Sequence, residues 1–317
     1  MMQRHQHGTA IITALLVVLL AASIAAFLLA QQSHALTRTA RANERAQATL
    51  FAQPMLQWAR SALFEFQKNN SSVDLTQRWA QPIGAQPIDG ALATGFFRDE
   101  TGRFNVNNLL GVDGKKSETD AVIFTQLLKN LGLNPDLTNA LVDWIDKDDE
   151  ISFPGGAEDQ TYLALPQPYR TAHERMVQIE ELYSVIGFDV ATVTKLKPFI
   201  TALPGRTKIN INTAPEAVLA AALPALSKAK LDELLIRRMT QPFNTFDGEK
   251  GIRNYLKDLT PAAEQLLDFD SGYFSISLGV STGGTQLRQS ALLQRVTPNG
   301  PNTKPTTWPR IIWLKDD

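Results

Sequence analysis

TAIITALLVVLLAASIAAFLLA, Thr9–Ala30, is a run of 22 residues without a charge. As a helix rising ~1.5 Å per residue it reaches across a hydrocarbon layer of ~30 Å. A buried core helix is the plain alternative, but nothing polar interrupts the run. A cleaved secretory signal is the stronger rival, although its apolar region is normally shorter, at ~7–15 residues. The run leads without a turn signal into Gln31–Phe66, which reads as more helix. There Leu50, Pro54 and Trp58 recur four apart, and Phe51, Met55 and Ala62 form a neighbouring stripe. Pro54 is expected to kink this helix. Charge does not fix the orientation, because Arg4 precedes the run and Arg38, Arg41 and Arg45 follow it.

The rest of the 317-residue chain is long enough for a sizeable core or for two domains. Its 31 basic and 32 acidic side chains nearly cancel, so no global field invites nucleic acid. There is no cysteine, which excludes disulfides, thiolate metal sites and cysteine nucleophiles. Of the four histidines, His5 and His7 precede the apolar run, His34 flanks it and His173 stands alone. A histidine metal site or a catalytic triad is therefore poorly supplied.

After the first helix comes a polar, turn-rich stretch to about Gly95. GFFRDETGRFNVNNL then suggests one or two short strands, with Phe104 and Val106 alternating with Asn105 and Asn107. These asparagines are expected to cap turns. A helix is predicted over Thr119–Leu131, with Val122, Ile123, Leu127, Leu128 and Leu131 as its apolar face and Gly132 as its stop. Pro135 opens the next helix, which carries Leu137, Leu141, Trp144 and Ile145. Further helices are expected near Met176–Ile186 and Val190–Pro198. In NTAPEAVLAAAL, Thr213 is the candidate N-cap of a capping box with Glu216. SKAKLDELLIRRM and TPAAEQLLDF add two more helices. The basic residues Lys228, Lys230, Arg237 and Arg238 read as helix surface rather than phosphate contacts. The period then changes to two: in YFSISLGV, Phe274, Ile276, Leu278 and Val280 alternate with small or polar residues. LRQSALLQRV and PRIIWLKD supply returning strands.

DWIDKDDE, Asp143–Glu150, places five carboxylates in eight residues, and Glu158 and Asp159 follow across a Pro-Gly-Gly turn. A solvated acidic loop is the plain reading. Against it, acidic groups at a helix C-terminus meet the unfavourable end of the dipole, and crowded carboxylates repel. Lys147 is the lone basic residue between Asp143 and Asp159. A hard cation removes the repulsion, and calcium takes about six to eight oxygens at ~2.3–2.6 Å. Asp146, Asp148 and Glu150 alternate and can serve one ion, while Asp143 and Asp149 belong to a second set. Gly155 and Gly156 let the loop return Glu158 and Asp159. No EF-hand pattern is present. Magnesium suits the site less, since it keeps its waters. A glycosidase pair lacks aromatic platforms, and a zinc protease lacks HExxH.

The N-terminus resembles a type IV pilin-like leader: a short basic segment, a glycine, then an apolar helix. GRFNVNNL, LVDWIDKDDE, GAEDQTY and KININTAPEAVLAAAL resemble, in order, the recurring segments of the K-type minor pseudopilins of type II secretion, the general secretion pathway protein K family. The resemblance implies that a prepilin peptidase cuts between Gly8 and Thr9. It implies methylation as an accompanying modification. It puts Thr13 where most pilin-like proteins carry a glutamate, an omission for which the K type is known. It also implies calcium, one or two ions, in the helical domain, with Asp143, Asp146, Asp148, Asp149, Glu150, Glu158 and Asp159 as candidate ligands. The implied partners are the I- and J-type minor pseudopilins, the major pseudopilin filament, the prepilin peptidase and the inner-membrane assembly platform. Secreted substrates are further candidates, and nucleic acid is not expected.

The expected fold is α+β: an N-terminal transmembrane and long helix packed on a pilin-like antiparallel sheet, with a large inserted all-helical domain. The boundaries are a leader over 1–8, a membrane helix over 9–30 and a long helix with the first pilin-like part over 31–111. The inserted helical domain covers 112–269, and closing strands cover 270–317. The expected function is non-enzymatic: a pseudopilus-tip subunit that initiates or caps assembly and supports export of folded proteins. It is anchored by a single pass in the inner membrane, with the globular part in the periplasm. The alternatives are a membrane-tethered periplasmic module whose acidic loop binds a basic ligand, and a tethered hydrolase.

Overall fold

The computed structural model describes residues 7–316 apart from 71, 89–90, 250, 258, 283–284 and 297–306. Most of the leader thus lies outside the described residues. Helix α1, His7–Asn69, runs unbroken for 63 residues, about 95 Å at the usual rise. Pro54 sits inside it. From Ile11 to Leu50 its described side chains are almost all exposed, and this helix is long and apolar enough to cross a membrane.

The C-terminal part of α1 lies on a five-stranded sheet. Its strands are β1 (Ile83–Ile88), β2 (Ala91–Asp99), β7 (Tyr273–Thr282), β8 (Thr285–Gln294) and β9 (Arg310–Asp316), in spatial order β1-β2-β7-β8-β9. All neighbours are antiparallel. Ala52, Met55, Leu56, Ala59 and Leu63 of α1 pack on Ala91, Ala93, Phe97, Phe274, Ile276, Leu278 and Val280. The alternation expected in YFSISLGV is therefore the face that meets the helix. The expected Leu50–Pro54–Trp58 stripe points the other way: Leu50 is 72% and Trp58 53% exposed. The buried stripe lies two positions further on, where small alanines let the helix close on the sheet.

The stretch before Gly95, read as turns, is turn and 3-10 helix over 72–82 and then strand in β1 and β2. β2 alternates buried and exposed from Ala91 to Asp99. Its inward positions up to Gly95 are Ala, Ala and Gly, which carry little strand propensity, so the pattern was faint in the sequence.

Between β2 and β7 the chain builds a second core. β3 (Phe104–Asn105) and a 3-10 turn over Val106–Leu109 precede α2 (Glu118–Asn130) and α3 (Leu137–Ile145). Then follow α4 (Asp159–Leu163), α5 (Val190–Leu196), β4 (Ile200–Thr201) and β5 (Ile209–Asn210). α6 (Glu216–Ala222), α7 (Lys228–Arg237), α8 (Ile252–Tyr255), α9 (Pro261–Leu266) and β6 (Leu267–Asp268) complete it. One apolar cluster runs from Phe104 to Phe269, with Phe104 stacked on Phe124 at 5.4 Å. The segment from Phe104 to Leu110 thus belongs to this core rather than to the sheet.

Local expectations fared unevenly here. Gly132 ends α2 with a positive φ of 62°, and Leu133 N–H reaches back to Leu128. Val122 is 65% exposed, off the apolar face assigned to it. Met176–Ile186 holds only a 3-10 segment, Ile179–Ser184. Thr213 does not cap α6, whose N-cap is Pro215; its hydroxyl donates to Asp99 instead. An N-cap hydroxyl would have to accept from a helix N–H, whereas this one is oriented by donating to a buried carboxylate, a strong acceptor. The asparagines do cap turns, and more: Asn107 bonds the backbone of both Met176 and Leu203.

Candidate metal centre

Asp143 lies in the last turn of α3, and Asp146 is its C-cap. Three residues apart, they project from one face. The chain then loops through Ser152–Gly156 and returns at Glu158, the N-cap residue of α4. Oxygens of Asp143, Asp146 and Glu158 all lie within 4.8 Å of one another. That separation suits two oxygens on opposite sides of a calcium-sized ion.

The three side chains are buried, at 0%, 7% and 2% exposure. Ser152 N–H donates to Asp143 at 3.0 Å and fixes that carboxylate. Asp146 Oδ1 and both oxygens of Glu158 are buried without a hydrogen-bond partner among the described residues. Leaving such groups unsatisfied is costly. No lysine or arginine forms an ion pair with any of the three among the described residues.

The protonation behaviour follows from this geometry. Burial pushes Glu158 up to about 8, with repulsion from Asp143, Asp146, Asp149 and Asp148 adding to it. Burial pushes Asp146 up to about 7, aided by Asp148 and Asp143. Burial raises Asp143 as well, while donors from Ser152 and Ala157 oppose the rise. Without a counterion Glu158 and Asp146 take up protons well above the usual carboxylate range; a divalent cation would replace those protons. The donor set, all hard oxygen, fits calcium better than zinc or copper.

The seven sequence candidates divide. Asp143, Asp146 and Glu158 come together, rather than Asp146, Asp148 and Glu150. Asp148 and Glu150 are exposed, and Asp148 accepts from the Glu150 N–H at 3.0 Å in a local turn. Asp149 falls in a second group with Glu158 and His173, also within 4.8 Å. Asp159 is already satisfied: Arg170 donates at 2.7 Å, and Thr171 donates from its N–H and its hydroxyl. These donors hold its carboxyl below the ordinary range, the Thr171 hydroxyl most of all.

Sequence reading missed His173 and Thr171. His173 Nδ1 donates to the carbonyl of Asp146 at 3.0 Å, and its N–H donates to the carbonyl of Trp144. It therefore closes the open end of α3, where carbonyls lack helical partners. Its φ of 46° is the left-handed value rare for a side-chain-bearing residue. No spacing in the sequence linked it to Asp146, 27 residues earlier. Thr13 lies on the exposed face of α1. Gly8 and Thr9 fall in the first turns of that helix.

Comparison with known proteins follows the same outline. Family models described as type II secretion system (T2SS), protein K match residues 102–205 and 209–248. A type II secretion system protein K of Pectobacterium carotovorum is 33% identical over 307 residues, covering 92% of this chain and 93% of its own. That of Klebsiella pneumoniae is 30% identical over 308 residues, covering 93% and 94%. A chain of the crystal structure of the GspK-GspI-GspJ complex from enterotoxigenic Escherichia coli superposes with a TM-score of 0.72 at 24% identity. The match covers 88% of this chain and 99% of that one.

Proposed function

This chain belongs to the type II secretion system protein K family, and from that membership we propose that it is the minor pseudopilin at the tip of the pseudopilus. It initiates or caps assembly and so supports export of folded proteins across the outer membrane. The observation that carries the reading is an identity of 33% that extends over 92% of the chain, helix, sheet and helical body together.

The geometry supports each part. The exposed apolar length of α1 suits an inner-membrane anchor that later packs into a filament, with the globular part in the periplasm. The helical body, emerging between β2 and β7, is the part proposed to obstruct stacking of a further subunit. The related E. coli structure is a complex with GspI and GspJ, and the I and J types are the proposed partners here. The major pseudopilin, the assembly platform and secreted substrates are wider candidates. The protein breaks no bond in this role. Calcium is the proposed ion, held by Asp143, Asp146 and Glu158, with Asp149 beside them. Its work is to neutralise the buried carboxylates and fix the loop Asp146–Glu158 to α3.

The test is expression of the full chain in cells with and without prepilin peptidase, followed by N-terminal mass analysis and co-purification. Loss of residues 1–8 only in the presence of the peptidase, with recovery of I- and J-type partners, is expected. An uncleaved chain that binds neither partner would overturn the reading.

A further inference from the structure

The helical body is joined to the sheet by two covalent crossings, the one after Asp99 at the end of β2 and the one before Tyr273 at the start of β7. Both crossings converge on one carboxylate. Asp99 Oδ1 accepts from the Thr101 N–H at 2.9 Å and the Thr101 hydroxyl at 2.7 Å. Its Oδ2 accepts from Ser271 Oγ at 2.6 Å, Thr213 Oγ1 at 2.5 Å and Asn210 Nδ2 at 3.1 Å. Thr101 is on the outgoing crossing and Ser271 on the returning one. Asn210 and Thr213 belong to the helical body. Asn210 Nδ2 also reaches the carbonyl of Val73, in the link from α1 to β1, at 2.9 Å. Four separate stretches of chain are thus tied at one buried point, where Asp99 is 5% and Asn210 0% exposed.

We propose that Asp99 is the clasp that sets the angle of the helical body on the helix-and-sheet unit. Besides the Asp99 cluster, a backbone hydrogen bond joins the two bodies, Val73 N–H to the Phe269 carbonyl at 2.8 Å, and the side-chain contacts are less directional. Leu203 packs on Tyr273 and Leu292, and apolar contact tolerates sliding. Lys315 meets Glu180 at 3.4 Å in a partly exposed pair, which is worth little. Five donors aimed at two oxygens, by contrast, define one geometry. Burial pushes the Asp99 carboxyl up despite those donors, so the group is an expensive one to keep inside. In some proteins buried charge of this kind specifies an arrangement rather than adding stability, and that is the role proposed for Asp99. Arg103 and Arg295 lie close enough to act on this carboxylate, and Arg295 bonds Asp270 and the Ser271 carbonyl, bracing the returning crossing.

The chain has no cysteine, so spin labels can be placed at will. One pair, Arg288→Cys on β8 with Ile236→Cys on α7, spans the two bodies; both positions are exposed. A second pair, Lys129→Cys with Ile236→Cys, lies within the helical body and reports its integrity. Distances are measured by pulsed electron resonance on the full chain in detergent, with and without Asp99→Ala. The expected result is a spanning distance that shifts and broadens while the internal one stays. Both distances unchanged would overturn the proposal. Should Asp99→Ala disturb the internal pair, Ser271→Ala and Thr213→Val keep the carboxylate and remove one donor each. Each is expected to broaden the spanning distance, and no broadening in either would equally overturn it.

Discussion

Gly156 sits against Asp143. A methyl group built on its Cα would overlap both Oδ2 of that carboxylate and the carbonyl oxygen of Ser152. The glycine is what lets the loop fold down onto the acidic end of α3. Gly156→Ala forces backbone and ligand apart, and overpacking of this kind costs ~1–3 kcal/mol. Heat unfolding of the full chain in detergent should register that loss, together with weakened calcium binding.

Calcium should raise the apparent stability of metal-free protein by mass action, about 2.7 kcal/mol at a hundredfold excess over Kd. The rise should vanish in Asp146→Asn and Glu158→Gln, since Asp146 Oδ1 and both Glu158 oxygens are buried without a hydrogen-bond partner among the described residues. Asp148→Asn and Glu150→Gln, both exposed, should keep most of it. Loss in Asp146→Asn, Asp148→Asn and Glu150→Gln with the rise kept in Glu158→Gln would return the site to the alternating set expected from sequence.

The metal-free protein should lose stability as pH rises. Glu158 and Asp146 are raised in the fold to about 8 and about 7. An unfolded carboxyl titrates near ~4. Between those values the folded state holds protons that the unfolded state has released, so this contribution is full below about pH 4 and is gone above about pH 8. Calcium must displace the same protons, so its affinity should fall from pH 8 to pH 6. Unfolding at several pH values, with chelator and with calcium, checks both signs.

Asn107 bonds three backbone groups across the helical body: the carbonyls of Met176 and Leu203, and the Met176 N–H. Asn107→Ala leaves all three buried and unpaired, at ~1–3 kcal/mol for such a group. A loss of about 3 kcal/mol is expected in denaturant titration, large for a polar-to-alanine change.

The two faces of α1 should separate in mutagenesis. Leu63, 1% exposed, packs on the sheet, and Leu63→Ala should cost ~2–5 kcal/mol. Trp58 is 53% exposed, and Trp58→Ala should leave the stability of the isolated chain unchanged within about 0.5 kcal/mol. A reduced recovery of pseudopilin partners with Trp58→Ala alone would mark that face as an assembly surface.

Much of this was legible before any coordinates. The length of α1, the stop at Gly132 and the alternation from Phe274 to Val280 follow from local rules of period, hydropathy and turn chemistry. Local rules failed where a distant partner overruled them. Thr213 has every mark of an N-cap, yet a buried carboxylate 114 residues away claims its hydroxyl. Leu50 and Trp58 form a proper helical stripe, yet the sheet meets the adjacent one.

The acidic segment divides the same way. Its composition alone determined that something must relieve the charge, because repulsion depends on the number of carboxylates and on the scarcity of countercharge, both written in the chain. Which carboxylates share the relief was decided by the fold. Asp143 and Asp146 are one helical turn apart, but Glu158 reaches them only because Gly156 permits the close return, while His173 closes the helix end from 27 residues away. Sequence separation does not encode those distances; packing does.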